Sequence, residues 1–124
     1  MITVGGDGVP KVARVGVALV DGCLWSSGTA DRVRTRRVRK HPTCTLFVFD
    51  NAFAFLALET TVTILDGADA PELNLRLFRL MQDKPAGPLS WFGADLDEAE
   101  FLDTMREENR LIYEFEVQRT YGLY

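Results

Sequence analysis

Residues 29–42, TADRVRTRRVRKHP, hold the densest chemistry in the chain. Arg32, Arg34, Arg36, Arg37, Arg39 and Lys40 fall within nine positions of a sequence whose net charge is −4. Like charges this close repel along a helix by about 0.2–0.5 kcal/mol for each i, i+4 pair, which a bound anion would relieve. Six solvated surface side chains would give the same run. Arginine outnumbers lysine 11 to 3 in the whole chain, which explains the choice of residue but not its clustering.

The segment just before the run, Ser26, Ser27, Gly28 and Thr29, adds hydroxyls and a glycine. At a helix N-terminus such groups, with free backbone N–H donors, make a seat for phosphate, although the composition is also that of an ordinary loop. On a helical wheel Arg32, Arg36, Arg39 and Lys40 share a sector of about 100°, while Arg34 and Arg37 turn towards the side carrying Val33 and Val38.

Other reactive side chains are sparse. His41 is the only histidine, so neither a Ser-His-Asp nor a Cys-His set can be assembled, and a structural zinc site is not expected. Cys23 and Cys44 stand in apolar runs without CxxC spacing, which predicts two buried, reduced thiols. Asp95, Asp97, Glu98 and Glu100 read as helix-start residues rather than metal ligands. Trp25, Trp91 and Phe92 suit a core better than a stacking platform, and Tyr121 and Tyr124 read equally as a loose tail or as a cover for a partner's groove.

The elements that must position the basic run follow from periodicity and turn chemistry. Residues 2–4 form a short strand, and residues 11–20 alternate as one long strand. Asp21-Gly22 marks a tight hairpin, residues 23–28 return as a strand, and residues 31–41 form the basic helix, with Thr29 or Asp31 as N-cap and Pro42 as terminator. Residues 43–49 and 53–65 form a second hairpin, apolar enough to be covered on both faces. A helix opens at residues 69–72 with a capping-box pattern and runs to about residue 83, its stripe being Leu73, Leu77, Leu80 and Met81. Another opens at Asp97, with Glu100 as capping partner and Leu96 stapled to Phe101. Residues 110–121 form the last, half-exposed strand.

The expectation is a single α+β domain over residues 1–124: a six-stranded antiparallel barrel with a basic helix after strand 3 and two helices before the last strand. Composition is that of an ordinary globular chain, 47% hydrophobic and 26% charged. Outside the basic run 8 basic side chains face 18 acidic ones, so a broad nucleic-acid surface is not expected. No apolar stretch approaches the ~20 residues of a membrane helix, and the expected location is the cytoplasm.

Residues 7–50 resemble the flavin- and deazaflavin-binding split β-barrel family, the superfamily of pyridoxamine 5′-phosphate oxidase, and within it the branch that uses coenzyme F420. Asp7-Gly8-Val9-Pro10 matches the end of the family's first strand, Ser26 to Thr29 its Ser/Thr-rich strand end, Arg32, Arg34 and Arg37 its helix positions, and Pro42 the helix stop. The likeness covers about residues 2–66. It implies a homodimeric oxidoreductase that passes a hydride between F420 and a small organic acceptor, with flavin mononucleotide (FMN) as the alternative cofactor. Cofactor contacts would fall to Ser27, Thr29, Arg32, Val33, Arg34 and Arg37. The helix of six cations suits the acidic tail of F420 better than the single phosphate of FMN. Arg34 stands where the family has lysine, Thr60-Thr61 where a glycine is common, and the usual leading helix is absent. A competing class is a non-enzymatic cofactor carrier or single-strand binder, for which aromatics would have to be exposed beside the basic stripe.

Overall fold

The computed structural model describes all 124 residues. In chain order the elements are β1 (Ile2–Val4), β2 (Pro10–Val12), β3 (Ala18–Val20), β4 (Cys23–Thr29), α1 (Val33–Lys40), β5 (Thr43–Phe49), β6 (Phe55–Leu65), α2 (Ala70–Met81), β7 (Leu89–Trp91), β8 (Ala94–Leu96), α3 (Glu98–Glu107) and β9 (Arg110–Leu123). Seven strands make one sheet in the order β2-β1-β5-β6-β9-β4-β3, every recorded pairing antiparallel, while β7 and β8 form a separate hairpin.

The expected six-stranded split barrel is met in part: helices and an antiparallel sheet are present, but that sheet has seven strands and does not close. The sheet has two edges, β2 and β3, which are consecutive in the chain and joined by residues 13–17. This link is the middle of the expected strand 11–20. It crosses from one edge to the other and pairs with neither, apart from two bonds between Ala13 and Met1, in which Ala13 N donates to Met1 O and the Met1 ammonium to Ala13 O, each at 2.9 Å. Its glycine is placed for close approach: a Cβ on Gly16 would lie 2.5 Å from the terminal methyl of Met81. Because the expected strand becomes two short ones, the basic helix follows the fourth strand.

Helices lie on both faces of the sheet. Leu111, Ile112 and Tyr113 are consecutive in β9 and all essentially buried, so both faces there must be covered. Tyr113 packs with Val38 of α1, Leu46, Leu58, Val62 and Phe115. Ile112, pointing the other way, packs with Leu77 of α2, Val20 and Trp25. A third cluster joins Phe101 and Met105 of α3 to Leu89, with Phe78 of α2, Trp91 and Leu96 around it. Leu96 and Phe101 thus meet as expected, and α3 carries the full capping box: Glu100 N donates to Asp97 Oδ1 at 2.8 Å and Asp97 N to Glu100 Oε1 at 3.1 Å.

Local expectations differ from the structure at several points. The cap at α2 is not a capping box, since Asp69 makes no side-chain cap bond. Leu80 and Met81 are exposed, and Asn74 takes the buried place on the helix. Cys23 is exposed, because it follows the Asp21-Gly22 turn on an edge hairpin; Cys44 is buried as expected, and both thiols are free. Phe47, Phe49 and Phe53 are exposed at the far end of the β5–β6 hairpin, against the expectation of buried strand aromatics. No helix is long and apolar enough to cross a membrane.

Candidate functional site

Helix α1 is shorter than its composition implies, since Arg32, not Thr29 or Asp31, occupies the N-cap position and makes no side-chain cap bond. Thr35 and Val38 are its buried residues, and they orient the rest. The two basic populations separate as the helical wheel requires: Arg34 and Arg37 are half-buried, while Arg32, Arg36, Arg39 and Lys40 are exposed.

Arg32, Val33, Arg34 and Arg37 line one cleft of about 360 Å³. Its opposite wall comes from β1 and β2, through Met1, Thr3, Lys11 and Val12. Arg37 is steadied there by a hydrogen bond from its Nη1 to Thr3 Oγ1 at 3.4 Å. Arg34 is held differently: its Nε is buried and has no hydrogen-bond partner in the chain. Four cations and no carboxylate border this cleft.

A second cleft of about 450 Å³ continues along α1, sharing Lys11, Val33 and Arg37 with the first and adding Arg36, Lys40 and His41. Asp7 is the acid on its border. The Val9 N–H, which donates to Asp7 Oδ1 at 3.0 Å, is the main cause that holds this carboxyl below its ordinary pKa, with Lys11 adding to it.

Two of the expected cofactor contacts are not in the cleft. Ser27 faces α2, where its Oγ donates to Asn74 Oδ1 at 2.6 Å. Thr29 is committed within the chain: its Oγ1 donates to Asp31 Oδ1 at 2.8 Å and accepts from Arg32 Nε at 3.1 Å. That bond from Thr29 is the first cause holding Asp31 below the usual carboxylate range. Strand alternation explains Ser27, because neighbouring residues face opposite sides of a sheet. Ser26, the residue before it, is buried with an unpartnered Oγ. Arg39 also leaves the group, pairing with Asp66 Oδ2 at 2.8 Å.

Sequence reasoning missed Met1, Thr3, Lys11 and Val12 as cleft residues. Only Lys11 carries a chemical signal, a lone cation beside the Asp7-Gly8-Val9-Pro10 turn, and its place opposite α1 depends on sheet order.

Next to the first cleft, and sharing Met1, Val12 and Ala13 with it, lies an apolar groove of about 880 Å³. Residues 13–15 and 17 form part of one side, and Leu46, Phe47, Val48 and Phe49 of β5 contribute to its lining. The tryptophans lie elsewhere. Trp25 is buried and its Nε1 donates to Glu114 Oε2 at 2.8 Å, while the Trp91 ring packs on Phe78 and Phe101 with the Arg110 guanidinium 5.0 Å from its centroid.

No family model matches the chain, and no curated protein does. Solved structures do match. A conserved hypothetical protein from Mycobacterium tuberculosis is similar at a TM-score of 0.70 and 21% identity, over 98% of this chain and 73% of that one. An F420 reductase is similar at a TM-score of 0.65 and 23% identity, over 97% of this chain and 85% of that one. A pyridoxamine 5′-phosphate oxidase-like protein from Listeria innocua is similar at a TM-score of 0.66 and 13% identity, over 98% of this chain and 84% of that one. At such identities the likeness establishes the fold. That fold agrees with the one the sequence resemblance implied, and this chain shares it with that F420 reductase and that pyridoxamine 5′-phosphate oxidase-like protein.

Proposed function

We propose that the protein is an oxidoreductase that seats the phosphate of coenzyme F420 in the cleft at the start of α1 and passes a hydride between this deazaflavin and a small organic acceptor. The observation that carries the reading is Arg34. Its Nε is buried without a partner, and its side chain borders a cleft with Arg32, Arg37 and Lys11 but no carboxylate. Keeping a buried donor unsatisfied costs about 1–3 kcal/mol, and more for a charged group. A phosphate gives these cations the charge-assisted bonds that the chain itself does not supply.

When bound, the deazaflavin supplies the hydride chemistry, which is why the absence of a nucleophile–histidine set is no obstacle. The chain's residues bind and orient. Arg32, Arg34, Arg37 and Lys11 would hold the phosphate, with Val33 beside them in the cleft wall. Arg36, Lys40 and His41 extend the basic corridor along α1, which suits a row of carboxylates and favours F420 over FMN. A cytoplasmic homodimer belongs to the same reading, with the exposed ends of β5, β6 and β9 as the contact surface.

Fluorescence titration with F420 and with FMN tests the proposal. Saturable binding at one coenzyme per chain, tighter for F420 and weakened at high salt, is expected. Tighter binding of FMN would move the protein to the flavin branch, and binding of neither would overturn the reading.

A further inference from the structure

The link that joins β2 to β3 is held over most of its length by side-chain packing alone. Residues 14–17 make no backbone hydrogen bond with the chain. Val15 packs against the cluster around Tyr113, and Gly16 lies against the end of Met81 in α2, so close that a Cβ there would stand 2.5 Å from the Met81 terminal methyl. A segment with so few bonds opens at low cost, which makes the contact with Met81 one of its main restraints. The chain has three methionines. Met105 is fully buried and Met1 nearly so, while Met81 is 41% exposed. An oxidant in solution therefore reaches the thioether that rests on the link before it reaches the other two.

We propose that Met81 is a modification site, a thioether that a hydroperoxide converts to the sulfoxide, and that this conversion releases the link. The sulfur lone pair attacks an oxygen of hydrogen peroxide, so that an S–O bond forms as the O–O bond breaks. Sulfur is oxidised by two electrons, and the proton of the transferred hydroxyl passes to the departing hydroxide, which leaves as water. The product is polar and chiral where the thioether was apolar and flexible. Holding an S–O dipole against Gly16, which offers it no hydrogen bond, is costly, so the oxidised side chain turns to water and the link loses its clip. Release reaches both cavities beside the link, because Ala13 borders the phosphate cleft and residues 13–15 and 17 line the apolar groove. Oxidation of Met81 needs no coenzyme.

Arg14 supplies the reporter, because trypsin must draw the link off the protein to cut after it. The experiment uses the full chain carrying Cys23→Ser, so that the exposed thiol consumes no oxidant, and hydrogen peroxide at neutral pH. Peptide mass spectrometry is expected to find one added oxygen on Met81 well before any on Met105. Cleavage of the Arg14–Val15 bond is then expected to quicken roughly five-fold or more, following the open population. Met81→Leu, apolar and of similar volume, is expected to keep the slow cleavage with and without peroxide, and Met81→Gln, polar but not oxidised, to show the fast cleavage without it. Methionine sulfoxide reductases with a dithiol are expected to return the oxidised protein to the slow rate. Cleavage at Arg14 that does not change when Met81 is oxidised, or that quickens with peroxide in Met81→Leu as well, would overturn the proposal. So would oxidation of Met105 at the rate of Met81, which would mean that the whole chain opens rather than the link.

Discussion

The hydroxyls of Thr35 in α1 and Tyr113 in β9 share a hydrogen bond inside the protein, across 78 residues of sequence. Thr35 has a single hydroxyl hydrogen, and Thr35 Oγ1 donates it to Thr29 O at 2.7 Å, so Tyr113 is the donor to Thr35. One side chain thus ties the helix both to the end of β4 and to the centre of the sheet. It sets the rotation at which Arg34 and Arg37 face the cleft.

The pair predicts an asymmetric mutant series. Thr35→Val strands a buried phenol O–H and should cost about 1–3 kcal/mol, whereas Tyr113→Phe removes a donor and should cost about 0.5–1.5 kcal/mol. Urea unfolding of both single variants and the double variant checks this. Because the residues touch, the double variant should be less destabilised than the sum of the two.

Gly28 lies under the same ring. A Cβ there would stand 2.5 Å from Cε2, Cζ and the hydroxyl oxygen of Tyr113, and the ring is fully buried, so it has nowhere to retreat. Gly28→Ala should destabilise by about 1–3 kcal/mol through overpacking. Gly28→Ala with Tyr113→Leu, which clears the ring, should recover part of the loss in the same unfolding assay.

What was legible in the chain was local. Asp21-Gly22 forms its turn with φ of 49° and 81°, and the Asp97–Glu100 cap forms as its spacing requires. The β7–β8 hairpin escaped notice because its turn is Phe92-Gly93, with φ of 47° and 85°, and phenylalanine is an uncommon residue in the left-handed region. Strand alternation in residues 11–20 cannot reveal that residues 13–17 leave one sheet edge and cross to the other. Nor could the sequence place Lys11 opposite α1, which depends on β1 pairing with both β2 and β5. The arginines of the site were readable because one helix carries them; its opposite wall was not.

Arg34 and Arg39 should part company in binding. Arg34→Ala removes a half-buried cleft cation and should weaken F420 binding roughly ten-fold or more, as expected for a charge-assisted contact of about 1.5–3 kcal/mol. Arg39 spends its charge on an exposed pair with Asp66, of a kind worth about 0–1 kcal/mol, so Arg39→Ala should change affinity far less. Equal losses for both, vanishing together at high salt, would point to a diffuse basic surface.

The two thiols should react at very different rates. Burial raises the pKa of Cys44, opposed by its hydrogen bond with Thr60 and then by the nearby N-terminal ammonium. Thr60 Oγ1 donates to Cys44 O at 2.9 Å, so the thiol is the donor in the Cys44–Thr60 contact at 3.2 Å. At pH 8 a disulfide reagent should label one thiol per chain quickly, Cys23, and the second only on unfolding. The raised folded-state pKa also fixes a sign: the stability contributed by neutral Cys44 is complete below the unfolded thiol pKa and is lost as pH rises through the folded value. Cys44→Ala should flatten that alkaline loss, and an unchanged pH profile would contradict the assignment.

The exposed end of the main sheet predicts the oligomeric state. Phe49 and Phe53 are 72% and 87% exposed, with Leu123 and Tyr124 exposed near them on β9 and beyond it, and Phe55 pairs in register with Leu123. Phe47 stacks on Phe55 at 5.3 Å between centroids, so the surface is ordered as well as apolar. Monomers rarely leave such a patch in water, and a self-complementary face is how symmetric dimers form, with about 1,200–2,000 Å² buried in a stable pair. Sedimentation equilibrium at micromolar concentration should therefore show a dimer, and Phe49→Asp should shift it towards monomer. Phe92 is also 87% exposed, but it sits on the separate β7–β8 hairpin. Phe92→Asp should leave the dimer intact, so loss of the dimer in both variants would mean that any surface charge disperses the protein and that the sheet end is not the contact.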